Sequence, residues 1–267
     1  MADRYAVIGN PVAHSKSPWI HAEFAHAAGQ DIQYECIEAP LDAFARTLDR
    51  FRAAGGRGAN VTLPFKAEAF SYCRGAVSER ARAALTVNTL RFEAEAVFGD
   101  NTDGIGLVID LERNLGRAIA GKRVLLMGAG GAAQGVLLPL LLRNPARLMI
   151  ANRSAQRATE LADRFVNVSG GSYRELSGKA FDLVINATSA GLSNEAPPLP
   201  PGVFAPGALA YDMVYGRDTP FLAMARAAGA AAHDGAGMLV EQAAESFLLW
   251  RGVRPATAAV LASIREG

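Results

Sequence analysis

The sequence predicts an α/β protein of two domains with a cleft between them. Three observations carry that expectation. Strand-length apolar runs alternate with helix-period segments along both halves of the chain. An unbroken passage of strand, glycine turn, helix and strand runs from Arg123 to Ser154. Polar clusters stand where strands end or helices begin, the places where an α/β fold presents groups to a ligand.

The 267 residues suffice for one large domain or two modest ones, and half of them are hydrophobic, ample material for a core. A net charge of +1 gives no bulk attraction to nucleic acid or to an anionic membrane. Cys36 and Cys73 have neither metal-ligand spacing nor a disulfide framework, so no metal is expected. Met1 leads almost directly into a strand, which leaves no room for a signal peptide, and the longest apolar runs, such as 136–142, are too short to span a bilayer. The expectation is a soluble, cytoplasmic protein.

The first part opens with a strand at 5–8, ended by Gly9-Asn-Pro11. Ser17-Pro18 reads as an N-cap with proline at the first helical position, and 19–28 as the helix. Residues 32–37 alternate as a strand, 41–54 repeat at helical spacing, and 58–61 form another short strand. Thr62-Leu-Pro64 reads as a second cap ahead of a helix that contains Lys66. Residues 86–91 and 96–98 look like a strand pair, which completes a mostly parallel sheet, and 104–115 form a connecting helix.

Arg123 to Met127 is an apolar strand running into Gly128-Ala-Gly130-Gly-Ala-Ala133. Val136, Leu137, Leu140 and Leu141 then mark one buried helix face, and a strand at 147–151 follows. Gly128 suits the tight turn, Gly130 a close approach of backbone to a pyrophosphate, and Ala133 close helix–strand contact. The helix start offers unpaired N–H groups to phosphate. This is the first βαβ unit of a Rossmann-like, dinucleotide-binding domain. An NAD site puts Asp or Glu at the end of its second strand to hold the ribose 2′-hydroxyl. Here stand Asn152-Arg153-Ser154, with Arg157 one turn on. A guanidinium binds a 2′-phosphate through paired hydrogen bonds, so the nucleotide is read as NADP. The domain continues through a helix at 155–164, strands at 166–168, 182–185 and 208–212, a helix at 220–228 and a strand at 230–233. Residues 197–202 are a loop, and 238–250 and 256–265 are apolar helices.

Four polar clusters could carry chemistry. They are Ser15-Lys-Ser17, Asn60-Val-Thr62 with Lys66, Asn88-Thr89, and Asn101-Thr-Asp103-Gly104. Each has a simpler reading alone: Ser17 as a cap, Lys66 as a solvated lysine, Asp103 as turn chemistry. Lys66 would sit near the positive end of its helix, an unfavourable place for an ammonium. Together the hydroxyls and amides suit a polyhydroxylated ligand, and Lys with Asp suits proton transfer to a carbonyl oxygen during hydride delivery. His14 and His21 read as local hydrogen-bonding groups, Trp19 and Trp250 as packing residues, and Tyr215 as either core or contact.

With these residues in view the chain resembles the shikimate dehydrogenase family over nearly its whole length. The motifs are His14-Ser-Lys-Ser-Pro18, Asn60-Val-Thr-Leu-Pro-Phe-Lys66, Val87-Asn-Thr89, Asn101-Thr-Asp-Gly104, Gly128-Ala-Gly-Gly-Ala-Ala133 and Asn152-Arg-Ser154. Ile185-Asn-Ala-Thr-Ser189, Tyr211-Asp-Met-Val-Tyr215 and Gly237-Met-Leu-Val-Glu-Gln242 follow. The resemblance implies that Ser15, Ser17, Asn60, Thr62, Asn88, Asp103, Tyr215 and Gln242 bind shikimate, with Lys66 and Asp103 as the catalytic pair. It implies an NADP site of Glu79, Gly128, Ala129, Gly130, Gly131, Ala132, Asn152, Arg153, Ser154, Arg157, Thr188, Met213 and Gly237. It also implies that residues 238–267 return to residues 1–103 to form the substrate domain, leaving 104–237 as the NADP domain.

Three positions depart from the family pattern: Thr86 where a small residue is common, Glu241 where a neutral one is usual, and Gly216-Arg217 where Asn-Pro is frequent. Neighbours on a helix face about 100° apart, so Glu241 is expected to point away from the ligand that Gln242 meets. The expected activity is reversible, NADP-dependent reduction of 3-dehydroshikimate to shikimate, the step that feeds chorismate and aromatic amino-acid synthesis, by a monomer or homodimer. The alternatives are a quinate/shikimate dehydrogenase using NAD and a non-catalytic NADP-sensing protein.

Overall fold

The computed structural model describes residues 2–188 and 195–266. The chain divides into two compact units, Met1–Gly106 with Val240–Gly267, and Leu107–Leu239.

In the first unit β1 (Asp3–Gly9), β2 (Ile32–Glu38), β3 (Gly56–Val61), β4 (Thr89–Phe92) and β5 (Val97–Asp100) form one sheet in the order β2-β1-β3-β4-β5. β1 pairs parallel with β2 and β3, while β4 runs antiparallel to both its neighbours. Residues Tyr5 to Ile8 are all buried, as a central strand covered on both faces requires. On one face α2 (Phe44–Ala53) buries Phe44, Leu48 and Phe51, spaced one helical face apart, against Ala6, Ile8 and Val61. That helix starts at Phe44, not 41, because residues 40–43 close a turn, with the Ala43 N–H donating to the Pro40 carbonyl.

Neither proposed cap holds. Helix α1 (Ser17–Ala28) has Lys16 in the cap position, and the Ser17 N–H donates to Ser15 Oγ at 3.2 Å. The hydroxyl that receives a backbone donor is therefore that of Ser15. Helix α3 (Lys66–Tyr72) is preceded by a turn in which the Phe65 N–H donates to the Thr62 carbonyl, which leaves the Thr62 side chain uncommitted to capping. A short helix, α4 (Glu79–Ala84), was not anticipated; Ser78 caps it by accepting from the Ala81 N–H.

Aromatic rings gather elsewhere in this unit. Trp250 stacks on Tyr5 at 4.5 Å and donates from its indole to the Leu90 carbonyl. Trp19 departs from the packing role and is 41% exposed. His21 also departs from expectation. It is wholly buried, stacked on Tyr34 at 4.4 Å, and neither ring nitrogen has a hydrogen-bond partner. Burial pushes it from 6.5 down to about 3, with Asn60 beside it opposing only in part. The unfolded chain thus binds a proton that the folded chain refuses, so this contribution is complete above pH 6.5 and is lost as pH falls toward 3. Moving from pH 7 to pH 5 should cost about 2 kcal/mol through this one residue. His21→Phe should flatten the fall in Tm over that range, and an unchanged pH dependence of Tm would reject the assignment.

The second unit holds β6 (Arg123–Met127), β7 (Arg147–Ala151), β8 (Val168–Gly171), β9 (Phe181–Asn186), β10 (Phe204–Asp212) and β11 (Ala231–His233). Their order is β11-β10-β9-β6-β7-β8, and every pairing is parallel. Alternate residues enter opposite cores: Val124, Leu126, Leu148 and Ile150 on one face, Leu125, Met127, Met149 and Ala151 on the other. Helices α6 (Gly131–Leu141), α7 (Ala155–Ala162) and α8 (Pro220–Ala227) connect the strands. β8 begins two residues later than expected; Val166 is exposed and Asn167 makes a positive-φ turn ahead of the strand. The division between units falls inside α5 (Asp103–Ile109), which continues as a π-helical turn, and inside α9 (Ala236–Arg251). α10 (Ala258–Glu266) completes the first unit. No helix among the described residues is long and apolar enough to cross a membrane.

Candidate active site

Parallel strands β1 and β3 deliver their following loops to one end of the first sheet, and the Thr62 N–H donates to the Ile8 carbonyl where they leave it. Ser15 and Ser17 come from the first loop, Asn60 and Thr62 from the second strand and its exit, and Lys66 opens α3 just beyond. β4 runs the other way, so its start brings Asn88 and Thr89 to the same end. The exit of β5 adds Asn101, Thr102 and Asp103.

Lys66, Asp103, Asn88, Thr102, Thr89 and Asn60 bond into one cluster; Ser15, Ser17 and Thr62 lie at the same sheet end. Lys66 Nζ donates to Asp103 Oδ2 at 2.6 Å, and Asn88 Nδ2 donates to Asp103 Oδ1 at 2.8 Å. Both carboxylate oxygens thus have a fixed donor. The carboxylate also stands in the first turn of α5, the helix end at which a negative charge is favoured. The lysine side chain is 18% exposed and the aspartate 8%, so the pair is mostly withdrawn from water while the ammonium keeps an open side. Asn88 Oδ1 accepts from the Thr102 N–H at 2.8 Å, which sets which face of the amide meets Asp103. Asn60 Oδ1 accepts from the Tyr34 hydroxyl at 2.8 Å, and burial holds that hydroxyl above its ordinary range, so it stays a donor. Gln242 approaches from α9, with its Oε1 accepting from Thr102 Oγ1 at 3.4 Å.

The strand ends of the second unit form a separate rim. Gly128 has φ +104, and a Cβ there would meet the Ala187 carbonyl at 3.0 Å, so only glycine suits the turn. A Cβ at Gly130 would meet nothing within 4 Å, so no packing among the described residues explains this glycine. Gly130 also occupies the cap position of α6 with no side chain closing the first turn, which leaves N–H donors available there, beside Gly131 and Ala132. Asn152 donates to the Ser154 carbonyl, and Ser154 caps α7 by accepting from the Arg157 N–H. Arg153 and Arg157 are exposed, and neither forms an ion pair among the described residues. An exposed guanidinium pair that forms no ion pair among the described residues suits a phosphate dianion.

Thr188 and Met213 stand on the same rim. Asn186 Oδ1 accepts from the Thr188 N–H and hydroxyl, while its amide donates to the buried Asp212 carboxylate. Burial raises Asp212, against the bonds it accepts from Thr219, Val214 and Asn186. Tyr215 follows on the loop after β10, in the second unit. Gly237 faces the buried Asp110 carboxylate, where any Cβ would collide. Glu79 is the exposed first residue of α4, in the first unit. Ser189 lies outside the described residues.

Three family models match the chain: the shikimate dehydrogenase substrate binding domain over residues 7–90, shikimate/quinate 5-dehydrogenase over 110–193, and the shikimate 5'-dehydrogenase C-terminal domain over 235–265. Shikimate dehydrogenase (NADP(+)) of Aromatoleum aromaticum is 60% identical, covering 99% of this chain and 97% of its own. The chain belongs to the shikimate dehydrogenase family. The enzyme of the same name from Dechloromonas aromatica is 58% identical, over 99% of this chain and 98% of its own. A crystal structure of shikimate 5-dehydrogenase from Thermus thermophilus, in complex with NADP(H) and shikimate, superposes with a TM-score of 0.89 at 34% identity over 99% of each chain.

The departures from the family pattern have local explanations. Thr86 accepts from the Asn101 amide through both its hydroxyl and its carbonyl, steadying the loop that carries Asp103. Glu241 is buried and paired with Arg254 at 2.7 Å, and it accepts from the Thr257 hydroxyl, so its charge is turned away from Gln242 and compensated. Gly216 has φ +72 and donates its N–H to Asp234, a turn that glycine suits. Ser246 and Tyr34 were missed as members of the cluster, and Thr89 and Thr102 were given no role of their own. Thr89 and Thr102 lay inside the polar motifs, and Ser246 stands one helical turn after Gln242, a spacing that puts both on one face.

Proposed function

We propose that Lys66 and Asp103 are the acid–base pair of an NADP-dependent reduction of 3-dehydroshikimate to shikimate. The observation that carries this reading is the 2.6 Å contact between Lys66 Nζ and an Asp103 carboxylate whose other oxygen is held by Asn88, in a chain 60% identical to an NADP-dependent shikimate dehydrogenase. In the reducing direction a proton at Lys66 Nζ passes to the carbonyl oxygen as it becomes a hydroxyl; in the oxidising direction the amine takes it back. Asp103 orients the Lys66 ammonium and accepts from a neighbouring substrate hydroxyl. Ser15, Ser17, Asn60, Thr62, Asn88, Tyr215 and Gln242 bind the remaining hydroxyls and the carboxylate.

The cofactor reading draws on the open helix start at Gly130, the absence of Asp or Glu at 152–154 and the exposed guanidiniums of Arg153 and Arg157, which form no ion pair among the described residues. Those arginines hold the 2′-phosphate, with Asn152 and Ser154 shaping their loop, while Gly128 to Ala132 receive the pyrophosphate. Thr188, Met213 and Gly237 line the remainder, and Glu79 is assigned to the same cofactor by family likeness alone. When bound, NADPH supplies the hydride to the carbonyl carbon. Residues 1–103 with 238–267 act as the substrate domain and 104–237 as the cofactor domain, in a cytoplasmic enzyme.

Initial rates of cofactor reduction at 340 nm test the reading, with shikimate or quinate paired with NADP⁺ or NAD⁺. Turnover should be fast only with shikimate and NADP⁺. Comparable rates with quinate or NAD⁺ would move the chain to a dual-specificity enzyme, and a folded protein that binds NADP without turnover would make it a sensor.

A further inference from the structure

Thr89, Thr102 and Ser246 are fully buried, and their hydroxyl oxygens form a triangle with sides of 2.8, 3.2 and 3.3 Å. The triangle touches every side-chain amide of the first unit to which a substrate role is given above. Asn60 Nδ2 donates to Ser246 Oγ at 3.0 Å and to Thr89 Oγ1 at 3.1 Å. Thr89 Oγ1 donates to Asn88 Oδ1 at 2.9 Å, and Asn88 Nδ2 donates to Thr102 Oγ1 at 3.0 Å. Gln242 is held twice, by Thr102 Oγ1 on its side-chain oxygen and by Ser246 Oγ on its backbone carbonyl at 3.0 Å.

Each hydroxyl has a single proton to give. Three protons therefore serve Asn88 Oδ1, Gln242 Oε1, the Gln242 carbonyl and the triangle itself, so the direction of each bond depends on the others. All three residues are withdrawn from solvent, so bulk water has no place in the arrangement. A side-chain amide presents a donor on one side and an acceptor on the other, and turning it over exchanges them. Ser246 is the member that ties α9 to the starts of β4 and α5.

We propose that Ser246, acting through Thr89 and Thr102, is a positioning residue that locks the amides of Asn60, Asn88 and Gln242 in the one register that reads the hydroxyl pattern of the substrate. The inference rests on the substrate reading given above. None of the three hydroxyls bonds Lys66 or Asp103 among the described residues, so the effect is expected on shikimate binding and not on the proton transfer.

Steady-state kinetics of Ser246→Ala, Thr89→Val and Thr89→Ser test it. The first two should raise the KM for shikimate by about threefold to tenfold, the range of one or two lost hydrogen bonds, and hold the KM for NADP⁺ within about twofold. Thr89→Ser keeps the hydroxyl and should return the shikimate KM to near the wild-type value. Should Ser246→Ala fail to fold, the Thr89 pair decides alone, since valine matches threonine in shape. An unmoved shikimate KM, a joint rise in both KM values, or a serine variant that behaves like the valine variant would overturn the inference. Wild-type protein that fails to oxidise shikimate would sink the substrate reading and the inference with it; wild-type turnover with unmoved variants would sink the inference alone.

Discussion

Lys66→Ala should lower kcat by at least ~100-fold while the KM for shikimate changes little. In the proposed mechanism the proton to the carbonyl oxygen comes from Nζ, and neither Asn88 nor Asp103 offers an equivalent donor. Asn88 is committed to Asp103 and Thr102, and Asp103 has both oxygens engaged. Lys66→Arg should not restore the rate, because a guanidinium does not give up its proton. On the proposed binding set, substrate affinity rests on the hydroxyl and amide groups, which the alanine leaves in place. Steady-state rates at 340 nm read both parameters at once, and near-normal turnover in Lys66→Ala would remove this residue from the mechanism.

The second large effect concerns the cofactor. Replacing Arg153 and Arg157 together with alanine should raise the KM for NADP⁺ by about 10- to 100-fold, the scale of one or two lost bonds to a charged group. The KM for NAD⁺ should stay within about threefold, because NAD⁺ has no 2′-phosphate to lose. Both guanidiniums are exposed, so raised salt should shrink the difference between the variant and wild type. Equal losses with both cofactors would show that the arginines shape the loop of Asn152 and Ser154 instead of binding phosphate.

The glycine turn and its flanking strands were legible because they are local: a period of two, a short run of small residues, then a period of 3.6. The Lys66–Asp103 pair was less so. Thirty-seven residues separate the two, and only the arrival of β3 and β5 at the same sheet end brings them within 2.6 Å. Four polar motifs and the family likeness pointed to it, whereas periodicity could not. Ser246 was overlooked because only its spacing from Gln242 marks it, and its hydroxyl partners Thr89 and Thr102 are more than 140 positions away. His21 misled for the opposite reason. Histidine ordinarily seeks polar partners, but here an aromatic stack overrides that tendency at a cost that only acid reveals. Trp19 shows that a large apolar residue near the start of a helix is no guarantee of a core position.

The central claim is that Lys66 and Asp103 work as one unit, and a double-variant cycle on kcat tests it most directly. Lys66→Ala, Asp103→Asn and the combined variant are measured with saturating shikimate and NADP⁺. Groups that act together lose little more as a pair than the worse single variant does alone. The account therefore predicts a double variant within a few-fold of the slower single one. Losses that multiply would mean that the two residues contribute independently, and the 2.6 Å contact would then have no part in moving the proton.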